Sequence, residues 1–191
     1  YMKGLEDNAF ELAIVDPPYG IGESGGDKKR NRHYNSIVVH EKKEWDNAVP
    51  DQAYFDELYR VSKNQIIWGA NYFIDKLSPS MGWVYWDKNI GGDFSDGELA
   101  YTSFKKALRA VQISFTTGLK GGHWRIHPTQ KPVKLYEWLL SNYAKEGDRI
   151  LDTHLGSGSS AIAAHYGGFD FVGCELDEDY YKAASVRFDR E

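Results

Sequence analysis

One run constrains the fold of this chain more than any other. Arg149-Ile150-Leu151-Asp152 reads as a strand, Thr153-His154-Leu155-Gly156-Ser157-Gly158 as a tight loop, and Ser159-Ser160 as the start of a helix. A second apolar run, Phe169–Cys174, follows and ends at Glu175. Strand, glycine loop, helix and strand in that order make a crossover unit with its two strands parallel. Glycines let the backbone approach a ligand closely, and a helix N-terminus offers unpaired N–H groups. An acid at the end of the second strand is placed to grip the two hydroxyls of a ribose. The loop is not a P-loop, because no Gly-Lys-Ser/Thr follows, and Ala161 stands where the dinucleotide fingerprint has its third glycine or an alanine. The unit reads as a nucleoside-cofactor site.

The rest of the chain repeats the alternation. Strands are expected at Leu12–Val15, Asn64–Trp68 and Trp83–Trp86. Helices are expected at Asp51–Val61, with Tyr54, Leu58 and Val61 on one face, and at Val133–Ala144, with Leu135, Leu139 and Tyr143 on one face. Tyr72–Leu77 reads as a short helix closed by Pro79, and Asp177–Phe188 as the last helix. Glu98–Phe104 and Ala110–Phe115 read as a strand pair, a hairpin candidate. Alternating strands and helices imply an α/β fold with a mostly parallel sheet. The chain opens on Tyr1, and Met2–Leu5 reads as the end of a helix that began earlier in a longer protein.

A second chemical motif sits at the end of the first strand. Leu12-Ala13-Ile14-Val15 delivers Asp16-Pro17-Pro18-Tyr19 into a loop that runs through Gly20 to Asp46. A carboxylate accepts one N–H of a planar amino group, and the carbonyl before a proline accepts the other, since that residue is pushed to an extended conformation. A tyrosine ring can stack on a planar base, and proline fixes the loop in advance. A Pro-Pro turn and a core-capping tyrosine are the bland alternative, so the tetrapeptide alone decides nothing.

Charge narrows the partners. The 191 residues carry 23 Lys and Arg against 28 Asp and Glu, a net charge of −5 that does not by itself mark a nucleic-acid binder. The distribution does. Leu99 to Tyr136 holds no acid but has Lys105, Lys106, Arg109, Lys120, Arg125, Lys131 and Lys134, with His123 and His127. A second basic run, Lys28-Lys29-Arg30-Asn31-Arg32-His33, follows the Asp16 motif. Two such runs beside candidate chemistry point to a phosphate-tracking surface. No apolar run reaches membrane-spanning length, and a cytoplasmic location is expected. The lone Cys174 excludes an internal disulfide and reads as a small buried side chain. The histidines lack metal-site spacing, so no metal is expected.

A third motif, His127-Pro128-Thr129-Gln130-Lys131-Pro132, precedes the Val133–Ala144 helix. With Asp16-Pro17-Pro18-Tyr19 and the glycine loop in this order, the whole chain resembles the S-adenosylmethionine-dependent DNA amino-methyltransferases. The likeness is to the group whose catalytic motif comes before the cofactor motif. The resemblance implies a three-layer Rossmann-like fold: a mostly parallel seven-stranded sheet with one antiparallel strand, circularly rearranged. One catalytic domain would span residues 1–191, with a target-base half to residue 126 and a cofactor half from residue 127. Asp16, Pro17, Pro18 and Tyr19 would form the pocket for a flipped-out base. Asp152, His154, Gly156, Ser157 and Gly158 would line the cofactor, Glu175 would hold its ribose, and His127, Lys131 and Pro132 would close its methionine end, Lys131 meeting the carboxylate. His154 and Thr153 depart from the family's usual Phe and Pro. Only Lys105–Trp124 is available as a target-recognition insert, so a second copy or a partner subunit is expected to complete it.

The resemblance implies methyl transfer to adenine N6 in DNA, because Asp before Pro-Pro-Tyr is the adenine-typical form. Cytosine N4 is the alternative. An RNA or protein-amide methyltransferase fits less well, since those place the cofactor motif first and carry Asn at the Asp16 position. A non-catalytic binding subunit would account for the small insert but not for the full catalytic set.

Overall fold

The computed structural model describes residues 1–26, 41–90, 95–117 and 125–191. The basic run at Lys28–His33 and the Lys120–Trp124 end of the expected recognition segment lie outside them. Seven strands are described: β1 (Phe10–Val15), β2 (Ser62–Trp68), β3 (Trp83–Asp87), β4 (Gly97–Thr102), β5 (Arg109–Gln112), β6 (Arg149–Asp152) and β7 (Asp170–Gly173). They form one sheet in the order β5-β3-β4-β2-β1-β6-β7. β4 runs antiparallel to both its neighbours, and every other pairing is parallel. The expected sheet, mostly parallel with one antiparallel strand, is the one observed.

Among the described residues there are four helices: α1 (Gln52–Val61), α2 (Val133–Tyr143), α3 (Ser159–Gly167) and α4 (Glu178–Phe188). The period-2 alternation of strands sends side chains to both faces. Leu12 and Ile14 of β1, with Ile66 and Trp68 of β2, pack with Leu135 and Leu139 of α2 and Ala163 of α3. Ala13, Val15 and Ile67 pack on the other face with Phe55, Leu58 and Val61 of α1. The result is three layers with a core on each side of the sheet. Aspartates start two helices. The Asp51 carboxylate accepts the Tyr54 N–H at 3.0 Å, and the Asp177 carboxylate accepts Asp179 and Tyr180 N–H at 3.0 and 3.1 Å. Among the described residues no helix is long and apolar enough to cross a membrane.

Three local expectations are corrected. The segments Glu98–Phe104 and Ala110–Phe115 do not form a hairpin. β3 lies between β4 and β5, pairing antiparallel with one and parallel with the other. Tyr72–Leu77 is not one helix but falls in two 3₁₀ turns, Ala70–Tyr72 and Ile74–Lys76, separated by Phe73 at φ −141° and ψ 38°. In α1 it is Phe55, not Tyr54, that enters the core with Leu58 and Val61. Met2–Gly4 is a single 3₁₀ turn.

Candidate active site

The sheet polarity gathers the chemistry at one edge. The carboxyl ends of β1, β6 and β7 lead to Asp16, Asp152 and Glu175. The antiparallel β4 brings its amino end, with Glu98, to the same edge. Ligands in open α/β sheets bind at this edge, because the strand ends and their loops surround a crevice there.

Each oxygen of Asp16 has one partner and keeps a lone pair free. Its Oδ1 accepts the Tyr19 hydroxyl at 2.6 Å, and its Oδ2 accepts Lys131 Nζ at 2.5 Å. Lys131 is only 4% exposed and meets Glu98 Oε2 at 3.0 Å as well. Lys88 meets the other Glu98 oxygen at 2.7 Å. Burial pushes the Asp16 carboxyl above its ordinary range against the pull of Lys131, with the Glu98 charge adding to the rise. Burial also works against the Lys131 ammonium, but Asp16 and Glu98 outweigh it and hold its pKa up. Burial would raise Glu98 too, yet Lys131 and Lys88 bring it down to about 2. Buried charges on this scale persist only when paired in this way.

Tyr19 is placed by two residues that its motif does not contain. Gly69, in the left-handed region at φ +66°, lies under its ring; a Cβ there would come within 1.9 Å of Tyr19 Cε1. Tyr72 stacks on the ring at a centroid distance of 5.0 Å and 14°. The loop after Tyr19 is held by Asp46, which is 2% exposed. Its carboxylate accepts the N–H groups of Tyr19, Gly20 and Glu23 at 2.7, 2.8 and 2.8 Å. Pro17 and Pro18 lie between these anchors, Pro17 buried.

The glycine loop lies beside this pocket. Gly156 (φ 53°) and Gly158 (φ 75°) both need the left-handed conformation. Glu175 Oε2 accepts the Gly156 N–H at 2.8 Å, and its Oε1 accepts that of Asp177 at 2.9 Å. Asp152 accepts the His154 N–H at 2.9 Å and the Ser160 hydroxyl at 2.6 Å. Burial raises the Asp152 carboxyl to about 7 and lowers the His154 imidazole to about 4. Ser157 is buried, and its carbonyl accepts Arg187 from α4 at 2.8 Å. The Ser159 hydroxyl donates to the Lys131 carbonyl at 2.7 Å, which ties the start of α3 to the His127–Pro132 segment. His127 packs edge-on against Tyr180 at 4.3 Å and near the Gly156 Cα, while Trp45 lies 5.2 Å from it. Cys174 is half-buried rather than buried, and burial raises its thiol pKa, so it is no activated nucleophile.

The two motifs and the His127–Pro132 segment therefore meet at one edge. Here the Lys131 ammonium pairs with both Asp16 and Glu98. Tyr19 likewise presents a ring already stacked on Tyr72. Sequence reasoning missed Glu98, Asp46, Gly69 and Tyr54, whose hydroxyl lies 2.7 Å from Thr153 Oγ1 and 3.5 Å from His154 Nδ1. Only Gly69, at the end of a strand, carried a local signal.

Comparison with known proteins places the chain in a family. The type II methyltransferase M.HpaI of Haemophilus parainfluenzae is 27% identical over 234 aligned residues, covering 100% of this chain and 71% of the relative. The crystal structure of an M1.HpyAVI–SAM complex superposes with a TM-score of 0.63 at 17% identity, covering 99% of this chain and 92% of that one. The cytosine-N4-specific PvuII DNA methyltransferase gives 0.64 at 14% identity, covering 98% and 82%. These structural likenesses show the fold. The DNA methylase family model for N6 and N4 enzymes matches residues 67–186, and the chain belongs to that family.

Proposed function

We propose that the chain transfers a methyl group from S-adenosylmethionine to N6 of an adenine flipped out of DNA. One observation carries this reading. A half-buried carboxylate, Asp16, fixed by Tyr19 and Lys131, shares its edge of the sheet with the glycine loop and Glu175. The residues fit the cofactor. Gly156 and Gly158 leave backbone without side chains, and the carboxylates Asp152 and Glu175 flank the loop. This donor set suits a cationic amino group and paired hydroxyls. Bound there, the cofactor supplies a methyl group on a sulfonium, a good leaving group.

The residues of the chain do the rest. An exocyclic amine is a poor nucleophile, because its lone pair is delocalised into the ring. The Asp16 carboxylate and the Pro17 carbonyl accept its two N–H bonds, turn the lone pair towards the donor, and stabilise the positive charge that develops. Preorganised groups of this kind contribute on the order of 3 kcal/mol each. The amine proton released after transfer passes to the Asp16 carboxylate, which already accepts one N–H of the amine in this reading. Base flipping costs on the order of a few kcal/mol, and an aromatic platform such as Tyr19–Tyr72 returns part of it. Asp at position 16 favours adenine. The PvuII likeness keeps cytosine N4 as the alternative, with the same pocket and the same geometry.

The test is direct. Asp16→Ala is expected to lose methyl transfer to DNA by at least 10³-fold, roughly, while cofactor binding by calorimetry is kept. Retained methylation would exclude Asp16 as the amino acceptor. N4-methylcytosine without N6-methyladenine in the digested product would assign the cytosine reaction instead.

A further inference from the structure

Glu98 is a half-buried charge beside the pocket that this chemistry leaves without a task. It sits in β4, and its two oxygens take Lys131 at 3.0 Å and Lys88 at 2.7 Å. The Tyr19 hydroxyl lies 3.2 Å away. Asp16, Lys131, Glu98 and Lys88 thus alternate in sign along one chain of contacts. A second pair is not needed for neutrality, because Asp16 and Lys131 alone would balance. What Glu98 adds is competition for the same ammonium.

We infer that Glu98 is a positioning residue that shares Lys131 with Asp16 and so keeps Asp16 a strong hydrogen-bond acceptor for the target amino group. This deepens the reading of Asp16 as that acceptor and rests on it. A lysine owned by Asp16 alone would draw off its charge and weaken it as an acceptor. Glu98 pulls the same cation the other way, and its own negative charge raises the proton affinity of Asp16. Glu98 stays ionised across the working range, so its effect on Asp16 is constant.

Among the described residues, the surroundings of Asp16 leave few other titrating groups. Tyr19 on its own loop, Tyr54 on α1 and Tyr136 on α2 are all pushed up by burial and stay neutral. Lys131 stays charged. Asp152, on β6, titrates near 7 and is common to wild type and variants.

The experiment follows Asp16 itself. Aspartate carboxyl carbons are labelled with ¹³C, the Asp16 signal is assigned with Asp16→Asn, and its titration is compared in wild type, Glu98→Gln and Lys88→Met. Glu98→Gln is expected to move the Asp16 titration to lower pH. Lys88→Met, which leaves Glu98 less compensated, is expected to move it to higher pH. The acid limb of tritium transfer from labelled S-adenosylmethionine to unmethylated bacterial genomic DNA should move in the same directions. The plateau rate of Glu98→Gln should fall on the order of tenfold. An Asp16 titration that does not move in either variant overturns the proposal. If Glu98→Gln does not fold, Lys88→Met reads the same coupling from the rim. Failure of the broader reading looks different: Asp16→Asn would methylate normally while the Asp16 carboxyl still responded to Glu98.

Discussion

Gly69 carries two constraints at once. Its φ is +66°, and the Tyr19 ring occupies the place a Cβ would take. Gly69→Ala is expected to cost about 1–3 kcal/mol of stability. It should also lower methyl transfer far more than that loss explains, because Tyr19 is pushed off Asp16. Thermal melts and initial rates on the same preparation separate the two effects. His154 supplies a pH prediction. Unfolded histidine titrates near 6.5, whereas burial lowers the folded value to about 4. Between those values the unfolded chain binds a proton that the folded chain refuses. The contribution of His154 is therefore complete above about 6.5 and is lost as pH falls towards 4. Asp152 works in the opposite sense: its folded value, near 7, is raised, so its contribution is greatest at low pH and is lost as pH rises. Between pH 7.5 and 5 the melting temperature of His154→Phe is expected to fall less steeply than that of wild type.

At the scale of elements, the limb after Tyr19 depends on one side chain. Asp46→Ala removes the carboxylate that accepts three backbone N–H groups and is expected to cost about 2–3 kcal/mol. It should also speed proteolytic cleavage after Tyr19, read by limited digestion. Elements were legible in the sequence wherever their signal was local. The caps Asp51 and Asp177, the spacing of Leu135, Leu139 and Tyr143, and the glycine loop each announce a boundary or a face within a few residues. Partners were not legible. Alternation identifies β4 and β5 as strands but cannot say that β3 lies between them. The same limit hid Glu98. Nothing near it in sequence marks it, and it reaches the pocket only because β4 is inserted antiparallel beside β2. Lys131 stood out by motif, but its partner Asp16 lies 115 residues away.

At the scale of the whole molecule, a net charge of −5 makes DNA binding depend on where the cations are. Replacing Lys28, Lys29, Arg30 and Arg32 with glutamine is expected to weaken binding. It should also reduce the slope of log affinity against log salt by up to roughly 3.6, about 0.9 per lost phosphate contact. Fluorescence anisotropy across a salt series reads this, and an unchanged slope would remove these residues from the DNA contact. The sheet topology has a further consequence. β1 and β6 are adjacent, with Leu12 opposite Ile150 and Ala13 opposite Leu151, although the Glu11–Arg149 hydrogen bond beside them spans 138 residues. Closing so long a loop is entropically slow, and contacts of this separation form late. The loop that carries Asp16 and the glycine loop leave adjacent strands at this seam. A refolding chain should therefore regain helical signal before it regains affinity for S-adenosylmethionine, with the site completed by the last long-range pairing to form.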